Sequence, residues 1–220
     1  MKGILYYTDS QLEEGLAELV RKHILNSGLP IISVSLEPLD FGKNIRFEGK
    51  RGYLTMFKQI LVGLKASEAD YIFMCEHDVL YHSSHFEFEP KRNDVYHYNK
   101  NAWKYKPKTG QVVKYDCHWL SQVCASRKIL TEHYEKKIHL IEDEGRRLWN
   151  WRFEPGTKRG IDNYGVEWWE SEYPNIDIKH GKNLTGAIRF KREEFRDQTT
   201  CQNWQETTVD KIPGWKLAAM

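Results

Sequence analysis

The sequence predicts an α/β fold, a largely parallel sheet with helices packed on both faces. Three observations carry that expectation. Strand and helix patterns alternate β-α-β-α-β through the first 75 residues, and such alternation implies parallel strands joined by right-handed crossovers. The third strand segment, Tyr71-Ile72-Phe73-Met74-Cys75, is apolar throughout, as expected where both faces of a sheet are covered. No internal repeat, low-complexity tract or Pro-rich linker divides the 220 residues, so a single domain is expected.

Taken in order, Ile4-Leu5-Tyr6-Tyr7 reads as a short buried strand. Ser10 and Glu13 have the S-x-x-E spacing of a capping box, which predicts a helix starting there. Leu12, Leu16, Leu19, Val20 and His23 fall on one face of it, and Asn26, Gly28 and Pro30 stop it. Ile31 to Ser35 is a second strand, followed by a loop with Pro38, Gly42 and Gly49. A second helix is expected from about Gly52 to Ala66, and then the third strand. The second half is less regular. Val95 to Tyr98 and Gln111 to Tyr115 look like strands joined through a turn containing Pro107 and Gly110. Ser126 is placed to cap a helix carrying Ile129, Leu130, His133 and Tyr134 and running to about Trp149. Residues 154–165 are loop chemistry, Glu167 to Glu172 reads as a helical turn, and Ile176 to Ile178 as a strand.

Composition narrows the function classes. Lys plus Arg is 33 and Asp plus Glu is 31, a net of +2, which excludes a polybasic coating protein but leaves room for a local basic groove. Residues 1–100 carry a net of −2 and residues 101–220 a net of +4, and all eight tryptophans follow residue 100. No stretch approaches the ~18 consecutive apolar residues of a membrane span. The apolar run at the N-terminus is too short for a signal-peptide core. Cys75, Cys117, Cys124 and Cys201 form no CxxC pair. Free thiols in a cytoplasmic protein are therefore expected, with the sequon at Asn183 unused.

The most informative segment is Glu76-His77-Asp78, where the apolar strand runs into two carboxylates and an imidazole. Ligands of open α/β sheets bind beyond the carboxyl ends of the strands. Residues two apart on an extended chain share a face, so Glu76 and Asp78 would face one crevice. Adjacent carboxylates repel unless a cation or donor sits between them. Hard oxygen ligands suit Mg²⁺ or Mn²⁺. The plainer alternative is a strand end whose acids cap the next turn or face water.

This layout resembles the GT-A class of nucleotide-sugar-dependent glycosyltransferases, of the family 2 kind, which carry a D-x-D motif after an apolar strand in a Rossmann-like half. The resemblance covers roughly residues 3–100, with Glu76 standing where the first Asp would be. It implies an α/β, GT-A (Rossmann-like) mixed sheet flanked by helices. It also implies a nucleotide-sugar-binding half (about 1–100), an acceptor-binding half (about 101–190) and a tail (191–220). By that resemblance Asp78 would ligate Mn²⁺ or Mg²⁺, Glu76 would hold the ribose or a metal-bound water, and His77 would belong to the donor site. The strand end Tyr7-Thr8-Asp9 would meet the nucleobase and ribose, with Thr8 and Asp9 in the donor site, and the donor would be a nucleotide diphosphate sugar, UDP-linked first of all. A late His often completes the metal site in this class, and here His180 ends a strand beside Gly181.

Lys179, Lys182 and Arg189 flank His180 and are candidates to neutralise a departing diphosphate, with Lys43 and Arg51 as rivals. Each alone also reads as a solvated charge. Transfer to a hydroxyl with inversion needs a general base, and the carboxylates before His180 are the candidates: Glu167 first, Asp162 next, Glu170 third. They lie beside Trp168 and Trp169, whose faces suit stacking on sugars or bases; Trp103 is a further acceptor-side candidate. The acceptor is expected to be a glycan, a small molecule or a hydroxymethylated DNA base. There is no G-x-G-x-x-G, GxxxxGK[ST] or HExxH. Two alternatives remain open: a sugar-phosphate nucleotidyltransferase, although Thr8-Asp9-Ser10 lacks the Gly-rich phosphate loop, and a non-catalytic aromatic module binding glycan or single-stranded nucleic acid.

Overall fold

The structure is a computed structural model that describes residues 1–145, 147, 153–157, 161, 163–184 and 189–216. Strand β1 (Lys2–Thr8) leads to helix α1 (Glu14–Leu25), then β2 (Ile31–Ser35), β3 (Lys43–Arg46), α2 (Tyr53–Ala66) and β4 (Tyr71–Glu76). β5 (Val79–Leu80), β6 (Val95–Asn99), β7 (Ala102–Lys106), β8 (Gln111–Lys114) and β9 (Val123–Ser126) follow. Then come α3 (Arg127–Glu142), β10 (Gly165–Trp169), β11 (Asn175–Ile178) and β12 (Gln205–Thr207). Among the described residues, seven strands form one mixed sheet in the order β10-β6-β9-β4-β1-β2-β3, and five form a second in the order β12-β8-β7-β11-β5.

β3, β2, β1 and β4 run parallel, as the β-α-β-α-β pattern requires. β9 is antiparallel to both β4 and β6. Alternation divides the strand residues between two cores. Leu5, Ile72 and Met74 pack with Phe57, Ile60 and Leu64 of α2 and Leu130 and Tyr134 of α3. Ile4, Tyr6, Phe73 and Cys75 face Val20 and Ile24 of α1 and the second sheet, through Val79, Leu80, Trp103, Tyr105 and Ile176. Each of these aliphatic or aromatic side chains withdraws enough area from water for about 1.5–3 kcal/mol. Helix α2 lies tight on β1 and β2 because position 63 is glycine: a Cβ there would come within 2.2 Å of Leu5 and 3.0 Å of Val34.

Several local expectations are corrected. The cap of α1 is Glu13, whose carboxylate accepts from the amides of Gly15 and Leu16; Ser10 sits at φ 57 and instead accepts from the Glu37 amide. The loop after β2 contains β3, entered through Gly42 at φ +60. β7 lies between the two strands expected as neighbours, so the turn at Pro107–Gly110 joins β7 to β8. Ser126 precedes α3 without a side-chain cap bond, and the helix ends at Glu142; Trp149 lies outside the described residues. The segment read as a helical turn at Glu167 is strand β10, paired parallel to β6. No helix among the described residues is long and apolar enough to cross a membrane.

The two sheets are joined by buried polar side chains as well as apolar ones. Asn175 Nδ2 donates to Gln122 Oε1 at 2.7 Å and to His85 Nδ1 at 3.0 Å, and its Oδ1 accepts from the His82 amide at 3.0 Å. Asn99 Nδ2 donates to the same His85 nitrogen and to Ser171 Oγ. Burial pushes the His85 imidazole down to about 3, so it stays neutral. Asn175 is fully buried. Asn175→Ala would strand its partners, each costing about 1–3 kcal/mol, and should lower stability in urea denaturation by about 2–4 kcal/mol; a loss no larger than a surface substitution gives would show that the amide is not holding the sheets together.

Candidate functional site

The parallel pairing of β1 with β4 sets Tyr7 opposite Glu76, so the carboxyl ends of both strands open at one level. A cavity of about 780 Å³ begins there. Thr8, Asp9, Glu76, His77 and Asp78 line it from the strand ends, and Asp177, Lys179, Asn183 and Arg189 line it from β11 and the chain beyond. Tyr7 donates its hydroxyl to Glu76 Oε1 at 2.7 Å. Thr8 Oγ1 and His77 Nδ1 are hydrogen-bonded at 2.8 Å. Asn183 Nδ2 donates to Asp78 Oδ2 at 2.6 Å.

The two carboxyls of the Glu76-His77-Asp78 segment part company electrostatically. Burial and the charge of Asp78 push Glu76 up to about 8, against the hydrogen bond from Tyr7. Burial also acts to raise Asp78, but contact with His180 and the charges of His77 and Lys179 outweigh it and hold that carboxylate well below the usual range. Asp78 is thus the ionised member, and Glu76 the neutral one, at pH 7.

His77, Asp78 and His180 each offer one ligand atom, and these atoms lie within 4.8 Å of one another. His180 Nε2 is buried without a hydrogen-bond partner, 3.6 Å from Asp78 Oδ2. Two imidazoles and a carboxylate with an unspent nitrogen are a donor set that fits a divalent ion. The mixed N/O chemistry suits Mn²⁺ or Zn²⁺ better than Mg²⁺, which prefers oxygen.

Around this cluster the cations have fixed positions. Lys179 Nζ pairs with Asp177 Oδ1 at 2.5 Å; burial would lower its ammonium, but Asp177 and Asp78 raise it. Lys104 hydrogen-bonds the Tyr115 hydroxyl and lies 4.5 and 4.7 Å from the Tyr115 and Trp119 ring centroids. Burial brings its ammonium down to about 8. The Arg189 guanidinium sits 5.0 Å over Phe195. Arg51 pairs with Asp9 at 2.5 Å and donates to the Lys182 carbonyl, tying the loop after β1 to the loop after β11.

The sequence-predicted residues therefore divide. Thr8, Asp9, Arg51, Glu76, His77 and Asp78 line one cavity, with His180 in contact with Asp78. Lys182 is exposed and reaches the site only through its backbone. Glu167, the first candidate base, is not brought to the cavity: it lies on edge strand β10, with Arg92 at 2.9 Å and His97 at 3.7 Å. Glu170 pairs there with Lys100 and Lys114. Trp169 stacks on Phe88 at 4.3 Å, Trp168 sits against His118, and neither lines the cavity. Trp103 is packed in the core between the sheets. Lys43 is exposed on β3. Asp162 lies outside the described residues.

Sequence reasoning missed Lys104, Lys137, Glu154 and Asp177. Two of these had a signal. Lys137 falls on the α3 face that carries Leu130, His133 and Tyr134, and Asp177 sits between Ile176 and Ile178 in a four-residue strand; a charge in either place asks for a buried partner. His180→Ala is expected to weaken Mn²⁺ binding, read by isothermal titration calorimetry, by more than about tenfold; equal affinity in the variant would remove His180 from the donor set.

No family model matches the chain, and no curated protein matches it. Among solved structures it is similar to a glycosyltransferase involved in the glycosylation of the major capsid of PBCV-1. That match has 11% identity and a TM-score of 0.53, over 83% of this chain and 94% of that one. A nucleotidyl transferase from Methanothermobacter thermautotrophicus matches at 12% identity and a TM-score of 0.43, over 61% and 76% of the two chains. A Drosophila β-1,4-galactosyltransferase 7 mutant in complex with manganese, UDP-Gal and xylobiose matches at 15% and 0.43, over 89% and 79%. At such identities likeness speaks for the fold, and the first of these structures supports the expected GT-A-like arrangement, a single α/β domain with a mixed central sheet.

Proposed function

We propose that this chain transfers a sugar from a nucleotide diphosphate sugar to a hydroxyl acceptor, using a divalent metal ion. The observation that carries this reading is the convergence, at the exit of β4, of an ionised carboxylate, two imidazoles and an unspent buried nitrogen with Lys179, Lys104 and Arg189 in the same cavity. A pyrophosphate is the ligand that such an arrangement fits, since it bridges a metal centre and a cationic wall.

In this reading Asp78, His180 and His77 would hold the ion. When bound, the ion supplies positive charge for the diphosphate oxygens. Thr8, Asp9 and Arg51, which line the same cavity, are assigned to the nucleoside end of the donor. Lys179 and Arg189 stabilise negative charge that grows on the leaving diphosphate, and Lys104 adds to this from its aromatic seat. Being fixed by Asp177 or by ring faces, these cations need little reorganisation as the charge develops. The nucleotidyltransferase alternative shares the carboxylate logic, but Thr8-Asp9-Ser10 supplies no glycine-rich phosphate cradle. The donor set favours Mn²⁺ or Zn²⁺ over Mg²⁺, and Mn²⁺ with UDP-sugars is the first combination to try.

A bound donor should raise the melting temperature in the presence of Mn²⁺, by the equivalent of about 2.7 kcal/mol at a roughly hundredfold excess over Kd. EDTA should cancel the shift. Asp78→Asn should keep its near-UV circular dichroism yet lose the metal-dependent shift. Turnover should release a nucleoside diphosphate, whereas pyrophosphate from a triphosphate and a sugar phosphate would assign nucleotidyl transfer instead. A normal metal-dependent shift in Asp78→Asn would refute the assignment of the site.

A further inference from the structure

The cavity also extends to residues from α2, α3 and the segment after α3: Phe57, Tyr134, Lys137, Phe153 and Glu154. Two polar groups there stand outside the set assigned above to the donor. The Tyr134 hydroxyl is fully buried and makes no hydrogen bond. Glu154 lines the cavity, and among the described residues its carboxyl forms no ion pair within 4 Å.

The other cavity carboxyls are engaged. Asp9 is held by Arg51, Glu76 accepts from Tyr7, Asp78 accepts from Asn183, and Asp177 is paired with Lys179. Glu154 is the described cavity carboxyl left for proton transfer. We propose that Glu154 is the general base that takes the acceptor's proton, with the Tyr134 hydroxyl as a hydrogen-bond partner for the same polyol. The assignment rests on the glycosyl-transfer reading above.

The step balances without a further reagent. The acceptor oxygen bonds to the anomeric carbon of the donor sugar as the bond from that carbon to the diphosphate oxygen breaks. The electron pair leaves with the diphosphate, and the acceptor's proton goes to a Glu154 carboxylate oxygen. A single displacement of this kind inverts the anomeric centre.

The surroundings suit a base that works near neutrality. Lys137 from α3 is the charged group that acts on Glu154, and the Glu154 charge is felt in turn by Tyr134 of α3, Tyr98 of β6 and Cys117 after β8. Burial pushes the carboxyl up to about 7, and the Lys137 ammonium pulls against that. Lys137 is itself fixed, donating to the Phe153 carbonyl at 2.9 Å and lying 4.6 Å over the Phe57 ring. A base with a pKa near the working pH combines availability with driving force.

The test uses the full chain with Mn²⁺ and a panel of UDP-sugars, with water as the acceptor. Glu154→Gln should slow release of UDP by about 100-fold or more while binding UDP and Mn²⁺ as the wild type does. Wild-type turnover should rise with pH through about 7, and the variant should lose that dependence. The sugar first released should have the opposite anomeric configuration to the donor. If Glu154→Gln does not fold, Glu154→Asp, which draws the carboxylate back by one methylene, should show reduced turnover with unchanged UDP binding. A variant that binds and turns over the donor like the wild type, with the same pH profile, overturns the base while leaving the donor site standing. Retention of configuration does the same. A wild-type protein that binds no UDP-sugar with Mn²⁺ overturns both.

Discussion

Glu76 and Asp78 leave β4 two residues apart and stay out of bulk water, and carboxylates so placed repel each other strongly in a low dielectric. The structure resolves this by dividing their states. Burial and the charge of Asp78 keep Glu76 protonated against the hydrogen bond donated by Tyr7, which the parallel pairing of β1 and β4 sets opposite it, while Asn183 and His180 gather on Asp78 from the loop after β11. That solution requires β11 to arrive beside the exit of β4. It does so because β5, only two residues long, pairs antiparallel with β11 immediately after Asp78. The second sheet thus delivers Asp177, Lys179 and His180 to the first sheet's carboxyl edge. Coulomb repulsion between two side chains and the topology of a five-stranded sheet are parts of one constraint.

Much of this was legible in the sequence where periodicity is strong. β1, α2 and β4 are long apolar patterns with clear stops, and the acids at the end of β4 declare themselves by contrast with the strand before them. The misses have local causes. β3 is a four-residue edge strand, Lys-Asn-Ile-Arg, with one apolar side chain, and nothing separates it from a loop. β7 follows a polar Lys-Asn and mixes Trp103 and Tyr105 with two lysines, so its alternation was read as part of a connection. At β10, Glu167 and Glu170 are three apart, which imitates a helical face, yet Trp168 and Trp169 point to opposite sides, as neighbours in a strand must. Glu13 displaced Ser10 as the cap because its carboxylate reaches two amides at once. The site was half legible for the same reason. Residues at strand ends can be inferred from strands, whereas Lys104, Lys137 and Glu154 enter from elements whose placement depends on how the second half folds back.

Among the described residues, several aromatics of the second half serve as scaffolding. Trp103 and Trp169 are packed inside, and Trp119, Tyr115 and Trp204 form a cluster whose faces seat Lys104. Ring quadrupoles offset part of the desolvation of that ammonium, so an abundance of tryptophan marks here the cost of keeping charge in a dry wall as much as any stacking surface.

The amide and imidazole assembly between the sheets carries one further consequence, and it concerns how this sequence can change with time. Asn175, Gln122, His85 and Asn99 satisfy one another, so replacing any one leaves the others orphaned, while exchanging a whole set for apolar side chains of like shape can be nearly neutral. Divergence at these positions is therefore gated: drift by single substitutions is blocked, and descendants should differ from this chain there by concerted replacement or not at all.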